Sequence, residues 1–241
     1  GYEKGYDWLW LMDDDAEPKE DALEKLSLYF KDKNITGLAG SVVVQDNNIA
    51  VYHRGKINLR NIFPIIQVPI NIEEYQKDFV EIDMASFVGL LVHRDGIAKV
   101  GYPKKEFFIH HDDVEYCIRL RKIGRILLVP SSVIIHKEAA KHGAIEIEKS
   151  FLGRKSRRMG FSRLWLSYYG KRNLVWLGKN YSENKALFYA QMIKSLIRSI
   201  LGVVIYDDNK LKRIRFILSA YLDGLRGNFD NGKPKRILYE E

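Results

Sequence analysis

A single cysteine, Cys117, stands in 241 residues, so no disulfide can form within the chain, and a reducing compartment suits it. It lies in an apolar-periodic stretch, which reads as an inert core thiol rather than a nucleophile. A long charge-free apolar run is also missing. The most apolar stretch, Ala186 to Tyr206, is interrupted by Lys194 and Arg198, which argues against a membrane-spanning helix. Gly1-Tyr2-Glu3-Lys4 does not lead into an apolar segment, so no signal peptide is expected. There is no internal repeat, low-complexity tract, helix-turn-helix, zinc finger or RNP signature, and nucleic acid is not an expected partner. A cytoplasmic location follows as the expectation.

What is present is ordinary in bulk and uneven in distribution. The chain is 46% hydrophobic and 29% charged, enough apolar residue to bury a core. Net charge is +8, yet residues 1–150 carry 20 Lys/Arg against 24 Asp/Glu, while residues 151–241 carry 19 against 7. Such asymmetry points to two parts with different work, 1–150 and 151–241, the second having the charge to meet nucleic acid, anionic lipid or a phosphorylated acceptor, the first of these without a supporting signature.

Periodicity predicts a strand over 6–12, an amphipathic helix over 18–33, and a strand from Ile35 to Val44, with a turn at Asp46-Asn47-Asn48. Residues 50–78, with Pro64 and Pro69, read as a long irregular loop. Strands follow over Phe79–Asp83 and Phe87–His93, then a short helix from Asp95 to Val100. A helix starts at Asp112, with acids in its first turn, bases in its last and Gly124 as its stop. Arg125–Val129 reads as a strand, and Ser132–His136 as a second. Helices are expected at about 163–180, 184–205 and 209–226. Alternating strands and helices predict an α/β fold with a mostly parallel sheet and a helical appendage.

Chemistry concentrates in a few clusters. Asp13-Asp14-Asp15 ends the first strand, and so much charge at a buried strand tip needs a cation to answer it. Mg²⁺ or Mn²⁺ fits, since hard cations take carboxylate and phosphate oxygens. An acidic turn with Asp15 capping a helix fits the same residues. The second cluster is His110-His111-Asp112-Asp113-Val114-Glu115. An ionised carboxylate at a helix N-terminus can take a proton from an incoming hydroxyl. His110 and His111, if extended, point opposite ways, so one at most faces a site with Asp113. His136, just past an apolar strand, either completes a metal shell or is an ordinary hydrogen-bonded histidine. Ser86-Phe87-Val88-Gly89 and Tyr168-Tyr169-x-x-Arg172-Asn173 are further polar features.

Residues 7–15 together with Phe107-Phe108-Ile109-x-x-Asp112-Asp113-Val114-Glu115-x-x-x-Arg119-x-x-x-x-Gly124 resemble the two signature segments of inverting family 2 glycosyltransferases of the GT-A fold. The later His136, Tyr168-Tyr169-x-x-Arg172-Asn173 and Asp223-Gly224-Leu225-Arg226-Gly227 place the resemblance nearest the rhamnosyl- and galactofuranosyltransferases of bacterial polysaccharide assembly. It runs from Asp7 to about Asn228. It implies that Asp13 and Asp15 meet metal and diphosphate, with His136 as third ligand, and that Asp14 lies near the donor sugar. It further implies that Asp113 is the general base, with Asp112 and Glu115 orienting hydroxyls and Arg172 at the binding site. The implied partners are a nucleotide-sugar donor and a glycan or lipid-linked acceptor; self-association is left open.

The resemblance also implies a Rossmann-like half of roughly 80–100 residues before the Asp-x-Asp pair, whereas 12 residues precede Asp13. The expectation is therefore a partial GT-A domain over 1–150 and a basic helical region over 151–241. A second reading follows, an inactive remnant that binds a glycan or scaffolds a complex. In the tail, Leu187, Ala190, Ile193, Leu196-Ile197 and Ile200-Leu201 fit one broad apolar face, either packed in a bundle or laid on anionic lipid at the inner face of the cell membrane, with Lys210, Lys212, Arg213 and Arg215 adding attraction.

Overall fold

A computed structural model describes residues 1–44, 48–137 and 146–240; the turn expected at Asp46-Asn47 lies outside them. The chain divides into two compact units. One comprises Gly1–Ile57, Gln67–Lys104 and Asp113–Lys141, and the other Asn58–Ile66, Lys105–Asp112 and His142–Glu241.

The strands of the first unit are β1 (Trp8–Leu11), β2 (Ala16–Pro18), β3 (Ile35–Val43), β4 (Arg54–Ile57), β5 (Gln67–Pro69), β6 (Val80–Ile82), β7 (Met84–Ala85), β8 (Leu90–His93) and β9 (Arg125–His136). Its helices are α1 (Ala22–Ser27), α2 (Arg94–Val100) and α3 (Asp112–Arg121), whose first residue falls in the other unit. The main sheet has the order β1-β8-β3-β9-β2, with β6 also on β9. All nine residues of β3 are buried, as a central strand covered on both faces requires.

The expectation of a mostly parallel sheet is corrected here. Among the described residues only β3 and β9 pair in parallel; β1–β8, β3–β8, β2–β9 and β6–β9 are antiparallel. β8 inserts between β1 and β3, and its run of apolar residues looks the same in either direction. Gly89 starts it at φ 80°, donating its N–H to the Leu11 carbonyl, a conformation that suits glycine.

Other elements differ from expectation for local reasons. The helix expected over 18–33 is only the six residues Ala22–Ser27: Pro18 belongs to β2, and residues 28–31 continue as turns. The stretch 50–78 is not one loop: β4 pairs with β5 and β7 in a second small sheet. β9 is one strand through Pro130. Between Gly40 and Ser41 its register jumps from Val129 to Val133, and that bulge accommodates a residue with no N–H to donate. The core lies on both sides of the sheet, with Cys117 buried beside Leu90, Val92, Tyr116 and Leu120.

The second unit holds a hairpin of β10 (Glu146–Phe151) and β11 (Arg154–Met159), then α4 (Leu166–Tyr181), α5 (Lys185–Tyr206), α6 (Lys210–Arg226) and α7 (Lys233–Tyr239). Leu152 and Gly153 both have positive φ, the two-residue reversal that matches strand twist. At Gly224 a Cβ would stand 2.5 Å from the Arg172 carbonyl oxygen, so α6 and α4 touch backbone to side-chain-free backbone. Asp223 beside it is buried and accepts from the Tyr168 hydroxyl at 2.6 Å and from Lys233 at 2.8 Å. The segment Asp223–Gly227 is thus a packing joint of this unit.

The expected apolar face of α5 is not the packed one. Phe188, Met192 and Val203 are buried, while Tyr189, Ile193, Ile197, Leu201 and Ile205 are exposed at four-residue spacing. The helix is apolar around most of its circumference, which periodicity alone could not assign to one side. At 22 residues it is long and apolar enough to cross a membrane by length and composition, with 17% of that stretch buried.

Candidate active site

The acidic cluster forms a tight reversal. The Ala16 N–H donates to the Asp13 carbonyl at 3.2 Å, turning β1 into β2. This excludes the reading of Asp15 as a helix cap, since a strand follows it. β2 then pairs with β9 so that Ala16 faces His136, and the Lys137 N–H donates to the Asp15 carbonyl at 2.8 Å. Strand register is therefore what carries His136 to Asp15, although 120 residues separate them. The His136 Nε2 and Asp15 Oδ1 are 3.1 Å apart. One ligand atom from each of Asp13, Asp15 and His136 lies within 4.8 Å of the others.

Burial, then the charge of Asp15, raises the Asp13 carboxyl above its ordinary range; His136 opposes this and Asp14 adds to it. Mutual repulsion of this kind is relieved by a shared cation. Two carboxylates and an imidazole are a donor set suited to Mn²⁺ or Mg²⁺, and the three residues fit such an ion. Asp14 is exposed beside them.

Two neighbours were not legible as site residues in the sequence. The His53 ring stands edge-on to His136 with centroids 5.2 Å apart, and its Nδ1 is 2.8 Å from the Ser86 hydroxyl. Burial, with the nearby Arg54 charge, pushes its pKa down to about 3, so the imidazole is neutral. Arg54 is fully buried. Its guanidinium donates to the carbonyls of Gly40, His53 and Val88 at 2.8, 2.8 and 2.7 Å. Burial lowers its pKa to about 10, while Asp113 is among the groups that sustain its charge. Both residues sit where composition suggested only a loop. The one sequence signal was Ser86, which bonds His53.

At the start of α3, Asp112 and Asp113 are half-buried, and Asp113 Oδ1 accepts from the Val114 N–H at 2.7 Å. Glu115 is instead fully buried, and its carboxylate accepts from the Arg119 guanidinium at 2.7–3.0 Å, one turn along the helix. Arg119 also donates to the Tyr102 carbonyl at 3.0 Å. A carboxylate so engaged ties α3 to the end of α2.

In the second unit, Phe108, His110 and His111 all have φ near +60°, so the extended, opposite-facing arrangement expected of the histidines does not occur. Such a run of left-handed non-glycine residues persists only where surroundings hold it. Asn173 does so, donating to the carbonyls of Phe107, Ile109 and His110 at 3.1, 3.1 and 2.8 Å. Arg172 is fully buried, donates to Glu106 and Phe107 carbonyls at 3.1 and 3.4 Å and to Asn231 at 2.9 Å, and lies over the Tyr169 and Phe229 rings. Its bonds run to the Glu106–Phe107 loop, to Asn173 and to Asn231.

Comparison with known proteins bears on this geometry. Residues 4–101 match the family model for glycosyl transferase family 2. The dTDP-rhamnosyl transferase RfbF of Shigella flexneri is 24% identical over 232 residues, covering 96% of this chain and 73% of that protein. A crystal structure of GalNAc-T7 with UDP, GalNAc and Mn²⁺ superposes with a TM-score of 0.52 at 16% identity, covering 97% of this chain and 43% of that one. The chain thus spans less than half the length of that solved structure. In fold it is a mixed α/β protein like the GT-A transferases, and in sequence the chain resembles the family 2 glycosyltransferases.

Proposed function

We propose that this chain is a metal-dependent, inverting glycosyltransferase that moves a rhamnosyl-type sugar from a nucleotide donor to a glycan or lipid-linked acceptor in cell-surface polysaccharide synthesis. The observation that carries the reading is the convergence of Asp13, Asp15 and His136 within 4.8 Å. The likeness to a dTDP-rhamnosyl transferase supports the donor class.

Asp13, Asp15 and His136 would hold Mg²⁺ or Mn²⁺, which when bound supplies positive charge to the departing nucleoside diphosphate. Asp113, fixed by the Val114 N–H, accepts the proton of the acceptor hydroxyl as that oxygen attacks the anomeric carbon. Attack opposite the leaving group inverts the anomeric centre. Asp14 contacts the donor sugar and Asp112 orients the acceptor hydroxyl. Glu115, Arg172 and Asn173 are positioning residues: Glu115 braces α3, and the other two hold the loop that enters it. Metal-dependent release of nucleoside diphosphate from dTDP-rhamnose, compared between the native chain and Asp113→Asn, tests the reading.

The exposed apolar stripe of α5, with Lys194 and Arg198 beside it, supports peripheral contact with anionic lipid. A membrane surface is where a lipid-linked acceptor is found.

A further inference from the structure

The helical unit holds a half-open cavity of about 160 Å³ lined by Arg157, Arg158, Lys171, Ser199, Asp207 and Arg213, among others. None of these belongs to the Asp13–Asp15–His136 cluster. Its charges do not balance. Arg158 forms a fork with buried Asp207, Nε to Oδ1 at 3.1 Å and Nη2 to Oδ2 at 2.5 Å. Arg213, also buried, donates to Asp208 Oδ1 at 2.7 and 3.1 Å and to the Met159 carbonyl at 3.2 Å. Those pairs leave Arg157, which is exposed, and the half-buried Lys171 ammonium, for which no hydrogen bond or ion pair is found among the described residues. Burial, with repulsion from Arg158, pushes the Lys171 pKa below the ordinary lysine range.

The Lys171 ammonium is half-buried, with the Arg158 guanidinium rather than a carboxylate near it, so it stands unanswered in the pocket. Apolar or neutral side chains of that length would fill the position at less cost. At Gly202 of α5 a Cβ would stand 2.8 Å from the Arg158 guanidinium, so Arg158 packs against bare helix backbone. One water needs about 10–15 Å³ of such space, so the cavity holds several waters and has room for a phosphoryl or diphosphoryl group. Arginine forks and a lysine point charge are the side chains that recognise phosphate oxygens.

We propose that this cavity is an anion site that takes a phosphoryl group, with Lys171 as its principal ligand and Arg158 and Arg213 as its walls. Calorimetric titration of the whole chain with inorganic phosphate, inorganic diphosphate and farnesyl diphosphate tests it. EDTA is included so that no divalent ion bridges diphosphate to Asp13 and Asp15. The site predicts binding that Lys171→Gln weakens by about tenfold to a hundredfold, the value of one charged hydrogen bond, and that Lys171→Arg largely restores. It also predicts that Lys171→Gln leaves the melting temperature of the ligand-free protein unchanged or raised, whereas a structural lysine would lower it. Tighter binding of farnesyl diphosphate than of inorganic diphosphate assigns the site to a lipid-linked phosphate; equal binding assigns it to the free anion. Binding of none of the three, or equal binding by Lys171→Gln and the native chain, overturns the proposal.

Discussion

The Asn173 side-chain amide donates to the His110 carbonyl oxygen at 2.8 Å, across 63 residues of chain. The same nitrogen also serves Phe107 and Ile109, in a loop where three residues hold left-handed backbone. One amide thus pins the segment that runs into Asp112 and Asp113. Asn173→Ala takes the donor from the Ile109 and His110 carbonyls, at about 1–3 kcal/mol for each one left buried without a partner, while Phe107 keeps the Ile109 N–H and Arg172. Stability falls by an amount in that range, and turnover falls further than donor affinity. Chemical denaturation alongside kcat and donor Kd checks this. Unchanged turnover in a folded variant would contradict the loop's positioning role.

Metal affinity should follow the charge state of Asp13. Its raised carboxyl must lose its proton before it can bind a cation, so Mn²⁺ affinity begins to fall at a higher pH than for an ordinary carboxylate as the solution is acidified. Asp15→Asn removes a ligand and also the second cause of that shift. The variant binds Mn²⁺ more weakly, and the acid fall in its residual affinity moves to lower pH. Electron paramagnetic resonance of free Mn²⁺ between pH 7 and pH 4 reads both effects. The same acid dependence in both proteins would show that Asp13 is not the titrating ligand.

His53 sets an acid limit on stability. Neutral in the fold with a pKa of about 3, it takes up a proton near 6.5 once unfolded. Its folded pKa is depressed, so the stability it contributes is full above about 6.5 and is lost as pH falls toward 3. His111, pushed by burial to about 4, acts in the same direction. Urea denaturation from pH 7 to pH 4.5 should show a shallower loss of stability in His53→Gln than in the native chain. Equal slopes would contradict a neutral His53.

The exposed stripe of α5 predicts salt-sensitive membrane contact. Vesicles containing phosphatidylserine should co-sediment the protein at low salt and release it at high salt, since screening acts over about 8 Å at physiological ionic strength. Ile197→Asp with Leu201→Asp should abolish partition. Equal partition onto neutral and anionic vesicles, or none onto either, would leave α5 without this role.

The parts of the site that were legible in the sequence are those where chemistry is concentrated locally. Three aspartates at a strand tip, and acids opening a helix that ends in Arg119, Arg121 and Gly124, state their roles in adjacent residues. His136 could be named only as an alternative, because its meeting with Asp15 depends on the β2–β9 register and on the bulge at Pro130. His53 and Arg54 were invisible for the same reason: they lie in a stretch without periodicity and gain meaning only from partners at Gly40, Ser86 and Val88. The direction of β8 and the packed side of α5 were not legible either. A short apolar strand reads alike both ways, and a helix apolar all round has no marked face. Arg172 and Glu115 show the converse: their identity was clear, but burial and bonding give them bracing contacts.

Asp113 as acceptor of the hydroxyl proton and the Asp13–Asp15–His136 cation as a requirement of the reaction stand or fall together in one assay. Turnover of dTDP-rhamnose with Mn²⁺, measured as released nucleoside diphosphate for the native chain and for Asp113→Asn, tests both most directly. The native chain should release nucleoside diphosphate only with metal present. Asp113→Asn should lose about 10²–10⁴-fold in turnover with donor Kd unchanged. Near-native turnover by Asp113→Asn, or native turnover that persists in excess EDTA, would contradict this reading.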